Sequence, residues 1–91
     1  MPRIAVRLKI FGLVHGVFFR ASMAEVAATN AVAGWVRNKE DGTVDAFLEG
    51  EEAHVRRVLE WAKRGPARAR VDSIRVEKTR TRNSRGFRIE G

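Results

Sequence analysis

A strand, a glycine-punctuated loop and a helix follow one another between Ile4 and Asn30, and this succession constrains the fold more than any other feature of the chain. Ile4, Val6, Leu8 and Ile10 alternate with Arg3, Ala5, Arg7 and Lys9. That period of two predicts a half-buried strand with one wet face. The run Gly12-Leu13-Val14-His15-Gly16-Val17-Phe18-Phe19-Arg20 comes next. A glycine-rich loop between a strand and a helix can turn its backbone N–H groups inward around an anion. The closing arginine adds a planar, permanently charged fork suited to phosphate oxygens. Ser22, with Glu25 three residues later, matches a capping box and places the helix start near Ser22. Met23, Val26, Ala27 and Asn30 share one face of that helix.

Gly34 is expected to stop the helix and to open a second strand, Trp35-Val36-Arg37-Asn38. Asp41-Gly42 is a hairpin turn signal, and Thr43 to Glu49 forms the returning strand, with Val44, Ala46 and Leu48 on one face. From Glu51 onward Val55, Val58, Leu59 and Ala62 follow the spacing of an amphipathic helix, which Gly65-Pro66 ends. Ile74 and Val76 mark a fourth strand and Phe87 and Ile89 a short last one, with the polar segment Thr79 to Arg85 between them read as a mobile turn. The order βαββαβ plus a terminal β predicts an α+β, ferredoxin-like split βαβ sandwich: an antiparallel sheet with two helices on one face. The fold alone settles no function, since it hosts enzymes, RNA binders and metal carriers alike.

Length and composition narrow the field. Ninety-one residues, 44% hydrophobic and 32% charged, fit one globular domain spanning 1–91. The absence of cysteine excludes disulfides, thiolate chemistry and cysteine-based zinc sites. The two histidines show no metal-ligand spacing, so no metal or other cofactor is expected. Charged residues interrupt the N-terminus and no stretch is long enough to span a membrane, so the default expectation is a cytoplasmic protein with no membrane partner. The net charge of +7 is uneven: residues 1–55 hold six Lys/Arg against seven Asp/Glu, whereas residues 56–91 hold twelve against four. Such a basic half can attract nucleic acid, an anionic surface or a small anionic substrate. The simpler reading is solvated arginines on the outer faces of the last helix and strands.

The run from Gly12 to Arg20 becomes more specific beside a second one. Gly34-Trp35-Val36-Arg37-Asn38, then Gly42-Thr43-Val44 and Gly50, completes a pair of motifs in order. Together the two runs resemble the acylphosphatase family. The first matches the family's G-x-V-Q-G-V-x-F-R except at one position, and the second matches G-W-V-x-N followed by G-T-V. The likeness continues through the Trp61 helix, Gly65-Pro66 and the closing Gly86-Phe87-Arg88-Ile89, so it spans nearly the whole chain.

Carried over by residue, the resemblance implies that Arg20 holds the substrate phosphate and Asn38 orients the attacking water. It implies that the backbone N–H groups of His15, Gly16, Val17, Phe18 and Phe19 form the phosphate cradle. The implied reaction is metal-independent hydrolysis of small acyl phosphates to a carboxylate and inorganic phosphate. The residue types suit that chemistry. A carboxylate leaving group is weakly basic and needs no general acid. Phosphoryl transfer through a loose transition state asks mainly for positioning and for charge stabilisation on the equatorial oxygens, which a guanidinium and a ring of N–H dipoles supply. Asparagine is a poor base, but its carbonyl can aim a water. The final proton can then go to a phosphate oxygen of the substrate.

Each residue also has a plainer reading. Arg20 could be an exposed residue at a helix start, although a cation is disfavoured there without an anion. Asn38 could be turn chemistry ahead of Asp41-Gly42, and Gly16 a sharp bend. His15 stands where the family pattern has glutamine. Either its side chain points away and only its N–H matters, or the protonated ring adds charge beside the anion. His54 is expected on the outward side of the second helix. Phe19 is expected to anchor the loop in the core, Trp35 and Trp61 to pack, and Glu51 and Glu52 to complement a helix dipole.

The alternative function is a basic nucleic-acid-binding module on the same fold, motivated by residues 56–91. The chain has no tyrosine and lacks the aromatic strand pattern such RNA-binding sheets use. A third reading is an inactive relative, or a domain of a larger carbamoyl-transfer protein. The start at Met1 without extension favours a free-standing enzyme. The expected partner is a small anionic acyl phosphate, taken by a monomer with no specific nucleic-acid ligand.

Overall fold

A computed structural model describes residues 2–90; Met1 and Gly91, the two ends of the expected domain, lie outside the described residues. Seven elements follow in the expected order: β1 (Arg3–Leu13), α1 (Phe19–Thr29), β2 (Ala33–Asn38), β3 (Val44–Glu51), α2 (Glu52–Ala62), β4 (Arg70–Thr79) and β5 (Phe87–Glu90). The strands form one sheet in the order β4-β1-β3-β2-β5. Val6, Leu8 and Ile10 of β1 join Val44, Ala46 and Leu48 of β3 and Val36 of β2 in one apolar cluster. Phe19, Met23 and Ala27 of α1 and Val55, Val58 and Ala62 of α2 close it from the helical side. The period-two and helical stripes read from the sequence therefore meet in one core, with both helices on one face of a ferredoxin-like α+β fold.

Five expectations need correction. The sheet is mixed: β1 runs antiparallel to β3 and β4 and β2 runs antiparallel to β3, but β5 is parallel to β2. The reason is geometric. The chain leaves β4 at one end of the sheet, crosses to the opposite edge at that same end, and must then run in the direction of β2. As a result the C-terminal ends of β1, β2 and β5 lie at one end of the sheet, where α1 begins.

The first helix starts at Phe19, not near Ser22, and no side chain caps it. Ser22 is already inside the first turn, its N–H donating to the Phe18 carbonyl at 3.0 Å. Phe19 is 2% exposed and its ring lies 5.3 Å from that of Trp61. Burying a phenylalanine contributes about 1.5–3 kcal/mol, more than the ~1 kcal/mol of a serine cap, so packing sets the helix start. At the other end, α1 stops at Asn30 and Ala31, the latter at φ 53°. Gly34 lies inside β2 instead, at φ 136°, where an added Cβ would sit 1.8 Å from the Phe47 carbonyl oxygen.

The wet face expected for β1 is largely covered. Ala5 is 2% exposed, and Phe47, Asp45 and Glu49 are buried on the same helix-free side. Arginines provide the cover: the guanidinium carbons of Arg7 and Arg37 lie 5.0 and 4.8 Å from the Trp35 ring centre, and both groups bridge to Asp45, at 2.8 and 3.5 Å. The segment Thr79 to Arg85, expected to be a mobile turn, supplies the rest. Thr79 ends β4, and the N–H groups of Arg82, Asn83 and Ser84 donate to the Glu49 carboxylate at 3.0, 3.0 and 3.1 Å. Arg82 also reaches over the Phe47 ring, 5.4 Å from its centre.

Candidate active site

Residues 14–18 connect β1 to α1, and two left-handed residues shape them: Gly16 at φ 69° and Phe18 at φ 63°. Left-handed positions flanking Val17 curl successive N–H groups toward one side, the geometry of an anion-binding nest. A left-handed conformation is costly for a bulky aromatic, so Phe18 is held there by its surroundings. Val14, Val17 and Phe19 are buried beside it and fix the loop from below. Among the described residues, no loop or turn backbone hydrogen bond is donated by His15, Gly16, Val17 or Phe18. The helix that follows has no acidic residue in its first turn, and Arg20 stands there, half-buried. Free N–H groups, the positive end of a helix and a guanidinium thus converge, an arrangement that favours a bound anion.

A cavity of about 340 Å³ joins this loop to the end of β2. Gly16, Phe18, Phe19, Arg20 and Asn38 line it together with Val14, Ala21 and Ile89. Asn38 is positioned by pairing with Val44 across β2 and β3, and by the tight hairpin beyond it. There the Lys39 N–H donates to the Thr43 carbonyl at 2.8 Å and the Gly42 N–H to the Lys39 carbonyl at 3.1 Å. Asp41 accepts from both the hydroxyl and the N–H of Thr43. Those bonds, with Lys9 beside them, hold its carboxyl well below the usual range, so Asp41 stays charged at neutral pH. The side-chain oxygen of Asn38 is buried and accepts no hydrogen bond from the described residues. Leaving a buried acceptor unpaired costs about 1–3 kcal/mol, and such an atom calls for an explanation.

The other sequence-predicted residues fall as follows. Val17 and His15 do not line the cavity; Val17 points into the core, and only its N–H belongs to the loop surface. The His15 ring turns to the β2–β3 hairpin, its Nε2 lying 2.8 Å from the Thr43 carbonyl oxygen. Nε2–H donates there, and both the neutral ring and the imidazolium can make this bond. His54 is half-buried and 3.5 Å from Glu51. Trp61 packs on Phe19, and Trp35 stacks 6.4 Å from Phe47. Glu52 pairs with Arg56 one turn on. Among the described residues there is no group of three or more His, Asp or Glu placed to hold a metal ion, and no helix long and apolar enough to cross a membrane.

The acylphosphatase family model matches residues 6–89. The chain is 42% identical over 91 residues to the acylphosphatase of Thermococcus kodakarensis, covering the whole of both chains. It is 59% identical over 69 residues to that of Pyrobaculum aerophilum, covering 75% of this chain and 73% of the other. Among solved structures, the acylphosphatase of Bacillus subtilis superposes with a TM-score of 0.93 at 31% identity, over 97% of this chain and 99% of that one. The chain belongs to the acylphosphatase family.

Against the acylphosphatase pattern, the structure brings Arg20 and Asn38, named from separate motifs, to one cavity. Sequence reasoning missed two features around it and one at the opposite end of the sheet. Ile89 enters the cavity from β5, a placement that depends on the unforeseen parallel pairing. His15 ties the loop to the hairpin that carries Asn38, a bond with no sequence signature. Glu49 is fully buried as the anion that holds residues 82–84. Burial pushes its carboxyl up, but the N–H donors of Ser84, Arg82 and Asn83 outweigh this and leave it below the ordinary glutamate value.

Proposed function

We propose that this chain hydrolyses acyl phosphates to a carboxylate and inorganic phosphate, with the phosphoryl group held by the 15–19 N–H groups and Arg20 and with the attacking water aimed by Asn38. The observation that carries this reading is that Asn38, whose side-chain oxygen is buried and unpaired among the described residues, lines the cavity together with Arg20 and the loop. Rotation of the amide about χ2 turns that oxygen into the cavity, where a water donates to it and faces the phosphorus. The water oxygen bonds to phosphorus as the bond to the acyl oxygen breaks, and the carboxylate leaves without needing a proton. Among the described residues no side-chain carboxylate or imidazole lines the cavity, and the water's proton passes to a non-bridging oxygen of the phosphoryl group. The guanidinium and the N–H dipoles stabilise the charge on the equatorial oxygens, which leaves no role that requires a metal.

Benzoyl phosphate hydrolysis in excess chelator tests this. Wild type is expected to turn over, and Arg20→Ala and Asn38→Ala are each expected to lose about 10²–10³-fold in kcat, with thermal melts confirming that both fold. Turnover in Arg20→Ala equal to wild type, or loss of wild-type turnover on chelation, sinks the assignment. The remaining expectations belong to the same reading: a cytoplasmic monomer with no specific nucleic-acid partner. In its support, Arg56, Arg70 and Arg88 of the exposed basic half pair with Glu52, Asp72 and Glu90. Light scattering at the mass of one chain, and RNA binding without sequence or shape preference, are the expected results.

A further inference from the structure

We propose that Phe18 and Ile89 form the acyl-binding wall of the cavity and bias the enzyme toward acyl phosphates with an apolar, aromatic-sized acyl group. This rests on the hydrolytic reading above and concerns the half of the substrate that the phosphate loop does not touch. Four large hydrophobic side chains are markedly exposed among the described residues: Leu13, Phe18, Val76 and Ile89. Two of them, Phe18 at 73% and Ile89 at 51%, line the cavity that holds Arg20 and Asn38. They come from unrelated elements, the β1–α1 loop and the edge strand β5.

The Phe18 backbone is left-handed, so one residue does two things. Its main chain completes the curl of N–H groups, and its side chain is thrown outward instead of joining Phe19 in the core. A phosphoryl group seated on the N–H groups and Arg20 must direct its acyl oxygen away from them, opposite the water near Asn38. Phe18 and Ile89, the two exposed large apolar side chains of the lining, are the groups available to bound that space. Among the described residues Arg20 is the one charged residue lining the cavity, and it is engaged with the phosphoryl group, so a second anion on the acyl side meets apolar carbon. A phenyl ring, by contrast, removes its own surface and that of both side chains from water.

The wall touches the acyl group equally before and during reaction. Its contribution is therefore uniform binding, which appears in KM and leaves kcat in place. The experiment compares kcat/KM for benzoyl phosphate and acetyl phosphate in wild type, Phe18→Ala and Ile89→Ala. Intrinsic leaving-group reactivity is the same for every variant, so it cancels from the change in the benzoyl-to-acetyl ratio. That ratio is expected to fall about five- to tenfold in Phe18→Ala and by about threefold in Ile89→Ala, with the change carried by KM for benzoyl phosphate. Ile89→Ala leaves the loop backbone alone, so its result stands even where Phe18→Ala disturbs the nest. A ratio unchanged within 1.5-fold in Ile89→Ala, with turnover of both substrates intact, overturns the wall. If wild type hydrolyses neither substrate, the hydrolytic reading itself falls and the wall falls with it.

Discussion

Two segments of this chain curl consecutive N–H groups toward one point, and they differ in what occupies that point. At residues 82–84 it is the chain's own Glu49 carboxylate, which takes three N–H bonds in a fully buried position. At residues 15–18 no backbone carbonyl among the described residues closes the curl, and Arg20 and a cavity stand beside it. The backbone device is similar: left-handed residues at Asn83 and Gly86 in one case, at Gly16 and Phe18 in the other. Closed on an internal anion, it straps the last strand to the sheet. Left open at a cavity, it is free to take the anion of a substrate. Local conformation thus decides that an anion will be bound, and the neighbouring side chains decide whose anion it is.

The contrast can be broken from either side. The largest effect is expected at the open curl, where Arg20→Lys keeps the charge but loses the planar fork. A fall of about a hundredfold in kcat/KM would assign the work to geometry, and a fall under threefold would assign it to charge alone. The closed curl comes next. Glu49→Gln replaces one acceptor oxygen by an NH₂ facing N–H donors, and is expected to lower stability by about 2 kcal/mol in urea melts at pH 7. Because the Glu49 carboxyl is held below its ordinary value of 4.5, its contribution is complete above that pH. It drains away as pH falls through the lower, folded-state value. Glu49→Gln should therefore flatten the stability–pH curve below 4.5, and a mutant curve parallel to wild type would remove Glu49 as the cause.

A smaller effect belongs to the tie between the open curl and the Asn38 hairpin. His15→Ala is expected to lose about tenfold in kcat/KM by freeing the loop, whereas His15→Gln, whose amide can donate to the same Thr43 carbonyl, should recover it. Superimposable pH–rate profiles for wild type and His15→Gln between pH 5 and 8 are expected, since the bond does not depend on ring charge; divergence below pH 7 would give the charge a part. The smallest effect is at Ser22, which caps nothing. Ser22→Ala should shift stability by less than about 0.5 kcal/mol, against ~1 kcal/mol had the capping box formed.

Residues whose environment is set by their own spacing were legible in the sequence. Val6, Leu8, Ile10, Val44, Ala46 and Leu48 report a pleat, Val55, Val58 and Ala62 report a helix face, and all enter the core as their period dictates. The paired motifs likewise carried Arg20 and Asn38 to one cavity. Features set by partners distant in sequence were not legible. The start of α1 depends on Trp61 receiving Phe19. The order in the polar 79–85 segment depends on a carboxylate more than thirty residues away, and polarity alone reads as looseness. The parallel placement of β5 follows from which end of the sheet β4 vacates, which no local pattern records.

That last strand has a kinetic consequence. The cavity is bounded on one side by the first loop of the chain and on another by Ile89, near the end of the described residues. Contacts between segments so far apart in sequence are the slowest to form, because the most chain must be ordered to close them. During refolding, the phosphate loop and α1 can settle against β1 while β5 is still searching for its edge. A chain at that stage lacks Phe87 against its core and Ile89 at its cavity. Recovery of turnover is therefore expected to time the arrival of the final strand, and refolding in which turnover and Trp61 fluorescence recover together would remove that order.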